Sequence, residues 1–97
     1  MNTQNLELKE VVNRIAKCIC TECFLCNLAV DQKDENTQRY HLNKVKGIGL
    51  ALGCMDVSIY VHHENDMSHR KIEYFTLAHN GEILVEVSDF ESALEEE

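Results

Sequence analysis

Neither proline nor tryptophan occurs anywhere in the chain. Without proline, the strongest breaker of helices and strands is missing, so elements must end on glycine, asparagine and side-chain caps. Without tryptophan, aromatic packing rests on three Phe and three Tyr. No apolar run approaches the ~20 residues of a membrane span. The start, Met1-Asn2-Thr3-Gln4-Asn5, lacks the basic and apolar regions of a signal peptide. A cytoplasmic protein is therefore the expectation. Lys and Arg are missing from residues 72–97, which hold eight Asp/Glu, whereas residues 1–71 hold nine residues of each sign. The formal net charge of −8 thus belongs entirely to the last part of the chain. Such a distribution repels phosphate backbones and anionic membranes and attracts basic surfaces, so direct nucleic-acid and membrane binding are not expected.

Enzyme signatures are scarce as well. Gly47-Ile48-Gly49-Leu50-Ala51-Leu52-Gly53 lacks the lysine and hydroxyl residue of a phosphate loop, and its third glycine is misplaced for a dinucleotide fingerprint. It reads as a close-packing segment. No spacing joins a nucleophile to a base and an orienting acid. Five histidines are present. His62 and His63 are adjacent and, in a strand, point to opposite faces. His79 with Glu82 suggests a pH-sensitive contact, not a catalytic pair. Lys33, Arg39, Lys44 and Lys46 make a weak basic patch. No catalytic activity is expected.

What is present describes one folded domain spanning residues 1–97, with 44% hydrophobic residues. Residues 6–30 read as a helix, because Leu8, Val12, Ile15, Ile19, Cys23 and Cys26 recur at spacings of three and four. Val11, Cys18 and Leu28 widen that stripe. Asn5 or Thr3 can cap the helix, and Glu10 with Arg14 forms an i, i+4 pair. A second helix is predicted from residue 37 to about residue 46. A glycine-rich connection follows it, since Gly47, Gly49 and Gly53 each cost ~1 kcal/mol in a helix interior. Residues 56–62, 71–78 and 82–87 alternate as strands, and Asn80-Gly81 marks a type I′ hairpin turn. A short acidic helix over 90–96 is capped by Ser88 or Asp89. The expected fold class is α+β: a three-stranded antiparallel meander packed on a long N-terminal helix, with a short second helix and a short acidic C-terminal one.

A two-residue turn without irregularity pairs His79 with Glu82, Ala78 with Ile83, Leu77 with Leu84, Thr76 with Val85, Phe75 with Glu86, Tyr74 with Val87 and Glu73 with Ser88. One face is then a core face of Ala78, Thr76, Tyr74, Ile83, Val85 and Val87. The other has an apolar centre, Phe75, Leu77 and Leu84, rimmed by Glu73, Glu82 and Glu86. Either a helix of the same chain covers that second face, or it meets a partner or a second copy in a homodimer seam, since an apolar centre with a polar rim is common interface anatomy. Asp89 and Glu91 extend the acidic rim.

Four of the five cysteines crowd into Cys18, Cys20, Cys23 and Cys26. An odd, clustered count reads as reduced thiols instead of a disulfide framework. Cys20, Cys23 and Cys26 have thiolate-chelate spacing, which makes zinc binding or thiol redox chemistry the alternative function. His62, His63, His69 and Cys54 are candidates to complete such a site. Helix geometry opposes it: Cys20 and Cys26 lie about 120° apart around a continuous helix, and Cys18 lies about 160° from Cys20. The other reading takes them as small buried hydrophobes.

The leading expectation is a non-catalytic interaction protein without a cofactor. It would use Glu73, Phe75, Leu77, Glu82, Leu84, Glu86, Asp89 and Glu91 to dock on a basic protein surface. One version is an inhibitor that mimics nucleic acid in the groove of a nucleic-acid-binding enzyme. Only size, charge and lack of catalytic motifs support that version, by analogy with small mobile-element proteins such as anti-CRISPRs.

Overall fold

The computed structural model describes residues 3–95, with side chains from Glu7 onward. Helix α1 (Thr3–Asp31) is the longest element, and its 29 residues extend about 43 Å at 1.5 Å per residue. Val12, Ile19, Cys23 and Cys26 of the predicted stripe are fully buried. Ala16, Cys20 and Ala29 complete the buried face, whereas Val11, Cys18 and Leu28 point outward. The 3.6-residue period thus locates the stripe, and its edges follow the side on which the other elements pack: Cys20 is buried where Cys18 is exposed. The Glu10–Arg14 pair forms at 3.0 Å on the exposed side. The N-terminal cap at Thr3 or Asn5 falls outside the described side chains.

Asp34 caps helix α2 (Glu35–Gly53), its carboxylate accepting from the Thr37 backbone N–H at 3.1 Å and the Thr37 hydroxyl at 2.6 Å. This helix does not stop near residue 46. It continues through Gly47 and Gly49, so the predicted glycine-rich connection is helical. The reason lies in packing. Gln38, Leu42, Val45, Gly49 and Leu52 form one stripe at spacings of four and three, with Val45 and Leu52 fully buried. A Cβ on Gly49 would lie 2.8 Å from Ile59 Cγ2. The glycine lets the helix approach the first strand, and burying Leu52, worth about 1.5–3 kcal/mol, offsets its propensity cost.

Strands β1 (Val57–His63), β2 (Ile72–His79) and β3 (Glu82–Val87) form an antiparallel meander in the order β1-β2-β3. A 3-10 turn, Glu64–Asp66, follows β1, and helix α3 (Phe90–Glu95) closes the described chain. The hairpin turn is as predicted, with Asn80 at φ 52° and Gly81 at φ 80°. Asp89 is the cap of α3, accepting from Ser92 N–H at 3.1 Å. The α+β meander with a long N-terminal helix is therefore the observed fold, and one face of the sheet packs against the helices.

Beyond the turn, the register departs from the simple pairing. His79 pairs with Glu82 and Ala78 with Ile83, but Leu77 then pairs with Val85, Thr76 with Glu86 and Phe75 with Val87. Leu84 is the extra residue of a β-bulge between Leu77 and Ala78. One inserted residue exchanges the faces of the rest of a strand. Phe75 and Leu77, each 0% exposed, join Val85 and Val87 in the core. Phe90 of α3 stacks on Phe75 with ring centroids 5.9 Å apart. Of the two readings of that face, cover by helices of the same chain is the observed one, so Phe75 and Leu77 lie inside the protein and not on a partner-binding surface.

Candidate protein-interaction surface

The face that remains open is the one expected to be a core face. Reading outward-pointing residues across the pairs gives three rows. Ser58 lies beside Ala78 and Ile83, Tyr60 beside Thr76 and Glu86, and His62 beside Tyr74. Tyr60 is 54% and Ile83 62% exposed. Among the described residues, no helix packs on these rows. A second irregularity, between His62 and His63, leaves Glu73 without a strand partner and exposed on the same side as His62.

His62 organises this face. Its Nε2 lies 3.1 Å from Glu73 Oε1, and its Nδ1 lies 3.4 Å from both Asp66 Oδ1 and the Tyr60 hydroxyl. Its ring stacks on Tyr74 at 4.9 Å between centroids, with Tyr60 tilted 6.2 Å from His62 and 6.3 Å from Tyr74. His62 and His63 point apart, as the strand period requires, and His63 Nδ1 donates to the Arg70 carbonyl at 3.0 Å. The expected His79–Glu82 contact does not form. His79 Nδ1 donates to the Asp56 carbonyl at 3.1 Å, while Asn80 Nδ2 donates to His79 Nε2 at 3.3 Å. The half-buried histidine–glutamate pair is instead His41 with Glu22, at 2.7 Å between α2 and α1.

Of the acidic residues singled out by charge, Glu73, Glu82, Glu86, Asp89 and Glu91 are all exposed. Glu82, Glu86 and Glu91 have no cationic partner among the described residues. The cap bonds to Ser92 hold the Asp89 carboxyl below the usual carboxylate range, so it stays charged. Leu84 is half-buried against the core. No lysine or arginine occurs in β1, β2, β3 or α3. The basic patch lies elsewhere: Lys33, Arg39 and Lys46 line an open groove with His69, whereas Lys44 sits over the Tyr40 ring at 4.5 Å and 3.9 Å from Glu22.

The cysteine string stays inside an unbroken helix. Cys20, Cys23 and Cys26 are core side chains, Cys18 and Cys54 are exposed, and all five are free. Burial raises the Cys20 and Cys26 thiols to about 11. Burial together with its neighbours raises Cys23 further still. Among the described residues, no group of three or more His, Cys, Asp or Glu side chains is arranged to hold a metal ion. No helix of the described residues is long and apolar enough to cross a membrane.

Two contacts had no strong signal in the sequence. Asn27 reaches from α1 to β2, its Oδ1 accepting from Ile72 N–H at 2.7 Å and its Nδ2 donating to the Ile72 carbonyl at 3.0 Å. Gln38 donates from Nε2 to the His69 carbonyl at 3.1 Å, tying α2 to the loop after β1. An amide within an apolar stripe is the only local clue to either.

Comparison with known protein families, with curated proteins and with solved structures finds no match to this chain.

Proposed function

We propose that the chain is a non-catalytic protein-interaction module of the reducing cytosol, which docks its acidic sheet and C-terminal helix on a basic protein surface. One observation carries this reading. The sheet and α3 present Glu73, Glu82, Glu86, Asp89 and Glu91 at exposed positions without a single lysine or arginine among them. These carboxylates stand on strands, on a helix and at that helix's cap, not on a loose tail. Their spacing is fixed before binding, which lowers the ordering cost of association. A fixed array of negative charge is also what a competitor of nucleic acid requires. The proposed partner is therefore a nucleic-acid-binding protein whose basic groove the module occupies as an inhibitor, the anti-CRISPR-like role suggested by analogy. Five free thiols suit a reducing compartment.

The test is capture of a partner from host lysate by the wild-type chain and by a variant carrying Glu82→Gln, Glu86→Gln, Asp89→Asn and Glu91→Gln. Asparagine at 89 keeps a capping side chain. The wild-type chain should retain a basic protein whose binding weakens steeply as salt rises, and the neutralised variant should not retain it. A partner held equally by both chains, indifferent to salt, would remove the charge argument.

A further inference from the structure

Resting on this reading, we propose that the open sheet face is an arginine-capture platform: Tyr60, His62 and Tyr74 stack against the guanidinium of a partner's basic segment while Glu73 and Glu86 pair with its charge. The three rings lie within 6.3 Å of one another, on a face that the described helices leave bare. Tyr60 is the accessible member, 54% exposed. Across the sheet it aligns with Thr76 and then Glu86, so a guanidinium seated on Tyr60 has a carboxylate in the same row, with only a small hydroxyl residue between them. The neighbouring row, Ser58–Ala78–Ile83, has two small residues beside an exposed isoleucine, an apolar contact for an aliphatic stem. Arginine joins the properties this face asks for: a planar cation that stacks on rings, pairs with carboxylates and carries an apolar stem.

Charge excludes the main competing occupants. An aromatic sheet face stacks nucleic-acid bases only when cations track the backbone, and these strands contain no lysine or arginine. The same absence opposes an isologous pairing of this face with a second copy, which would bring two acidic patches together with no lysine or arginine between them. Strand addition at the β3 edge is opposed by its six-residue length, its bulge and its glutamates.

The test measures the whole chain by fluorescence anisotropy against a labelled oligo-arginine peptide and an oligo-lysine peptide of equal length, at low salt. Arginine should bind more tightly. Tyr60→Thr, which keeps strand propensity, should weaken arginine binding about two- to fivefold, the scale of an exposed cation–π contact. It should also abolish the preference over lysine. Tyr60→Phe should retain that preference. Glu86→Gln should weaken both peptides, and Glu35→Gln, an equal charge change off the sheet, should leave the binding of both unchanged. Tyr60 and Tyr74 ring resonances of the wild-type chain should shift on titration with the arginine peptide, a reading independent of any variant. Salt-sensitive binding with no arginine preference, unchanged by Tyr60→Thr, would overturn the platform yet leave the broader acidic-module reading standing. No binding of either peptide would overturn both. Self-association abolished by Tyr60→Thr, or an oligonucleotide shifting the same rings, would assign the face to another occupant and overturn the proposal.

Discussion

Asn27 shows how one side chain can substitute for a strand. Its amide supplies both the donor and the acceptor that Ile72 would otherwise find in a neighbouring backbone. Asn27→Ala should leave both groups of Ile72 without that partner and cost about 1–3 kcal/mol, measured by urea unfolding. The cysteines make the opposite point, since they act through being apolar. Cys18 and Cys54 should react promptly with a thiol reagent in the native state, while Cys20, Cys23 and Cys26 should react only as the protein opens. A raised folded-state pKa favours the protonated thiol, so its stabilisation is complete below the unfolded value and disappears as pH rises through the folded one. For Cys20 and Cys26 the loss should run from pH 9.0 to about 11. Melting temperature followed across that range should fall less in a Cys20→Ala, Cys26→Ala variant than in the wild type, whatever that variant's starting stability.

Helix α2 is the element on which local propensity and packing disagree. Three glycines argue for an early stop, yet only one faces the sheet. Gly47 has nothing within 4 Å of a built Cβ, whereas Gly49 meets Ile59 at 2.8 Å. Gly47→Ala should therefore stabilise by about 0.5–1 kcal/mol, and Gly49→Ala should destabilise because helix and strand must separate. Opposite shifts in the urea midpoint are the expected result; a stabilising Gly49→Ala would mean that α2 does not lie so close to β1. The hairpin teaches a related lesson. Its turn was legible because Asn80-Gly81 has a strong local preference for positive φ. The bulge at Leu84 was not, because either register offers plausible apolar pairs and only contact with α1 and α3 separates them. That single residue set Val85 and Val87 beside Leu77 and Phe75 on the core face and put Glu86 into the exposed row of Tyr60 and Thr76.

For the whole molecule, charge and fold are separable. The acidic side chains at positions 82, 86, 89 and 91 are exposed, and the core runs through α1, α2, the inner sheet face and Phe90. The variant neutralised at those four positions should therefore fold with an unchanged circular dichroism spectrum. Its melting temperature at low salt should stay close to that of the wild type, because relief of mutual repulsion among carboxylates offsets the weaker, uncharged cap at position 89. Loss of cooperative melting in that variant would show that these residues support the fold instead of serving a partner.

Composition and periodicity alone determined the α+β class, the long first helix, the three strands, the Asn80-Gly81 turn, a cap at Ser88 or Asp89 and the acidic bias of the last third of the chain. Each depends on local backbone preference or on counting charges, and in these elements packing and local preference agree. Tertiary structure alone decided the length of α2, the faces of the hairpin, the burial of Cys20, and the meeting of Tyr60, His62 and Tyr74. Those outcomes depend on close approach between segments far apart in sequence, where one missing Cβ at Gly49 or one inserted residue at Leu84 outweighs the pattern around it.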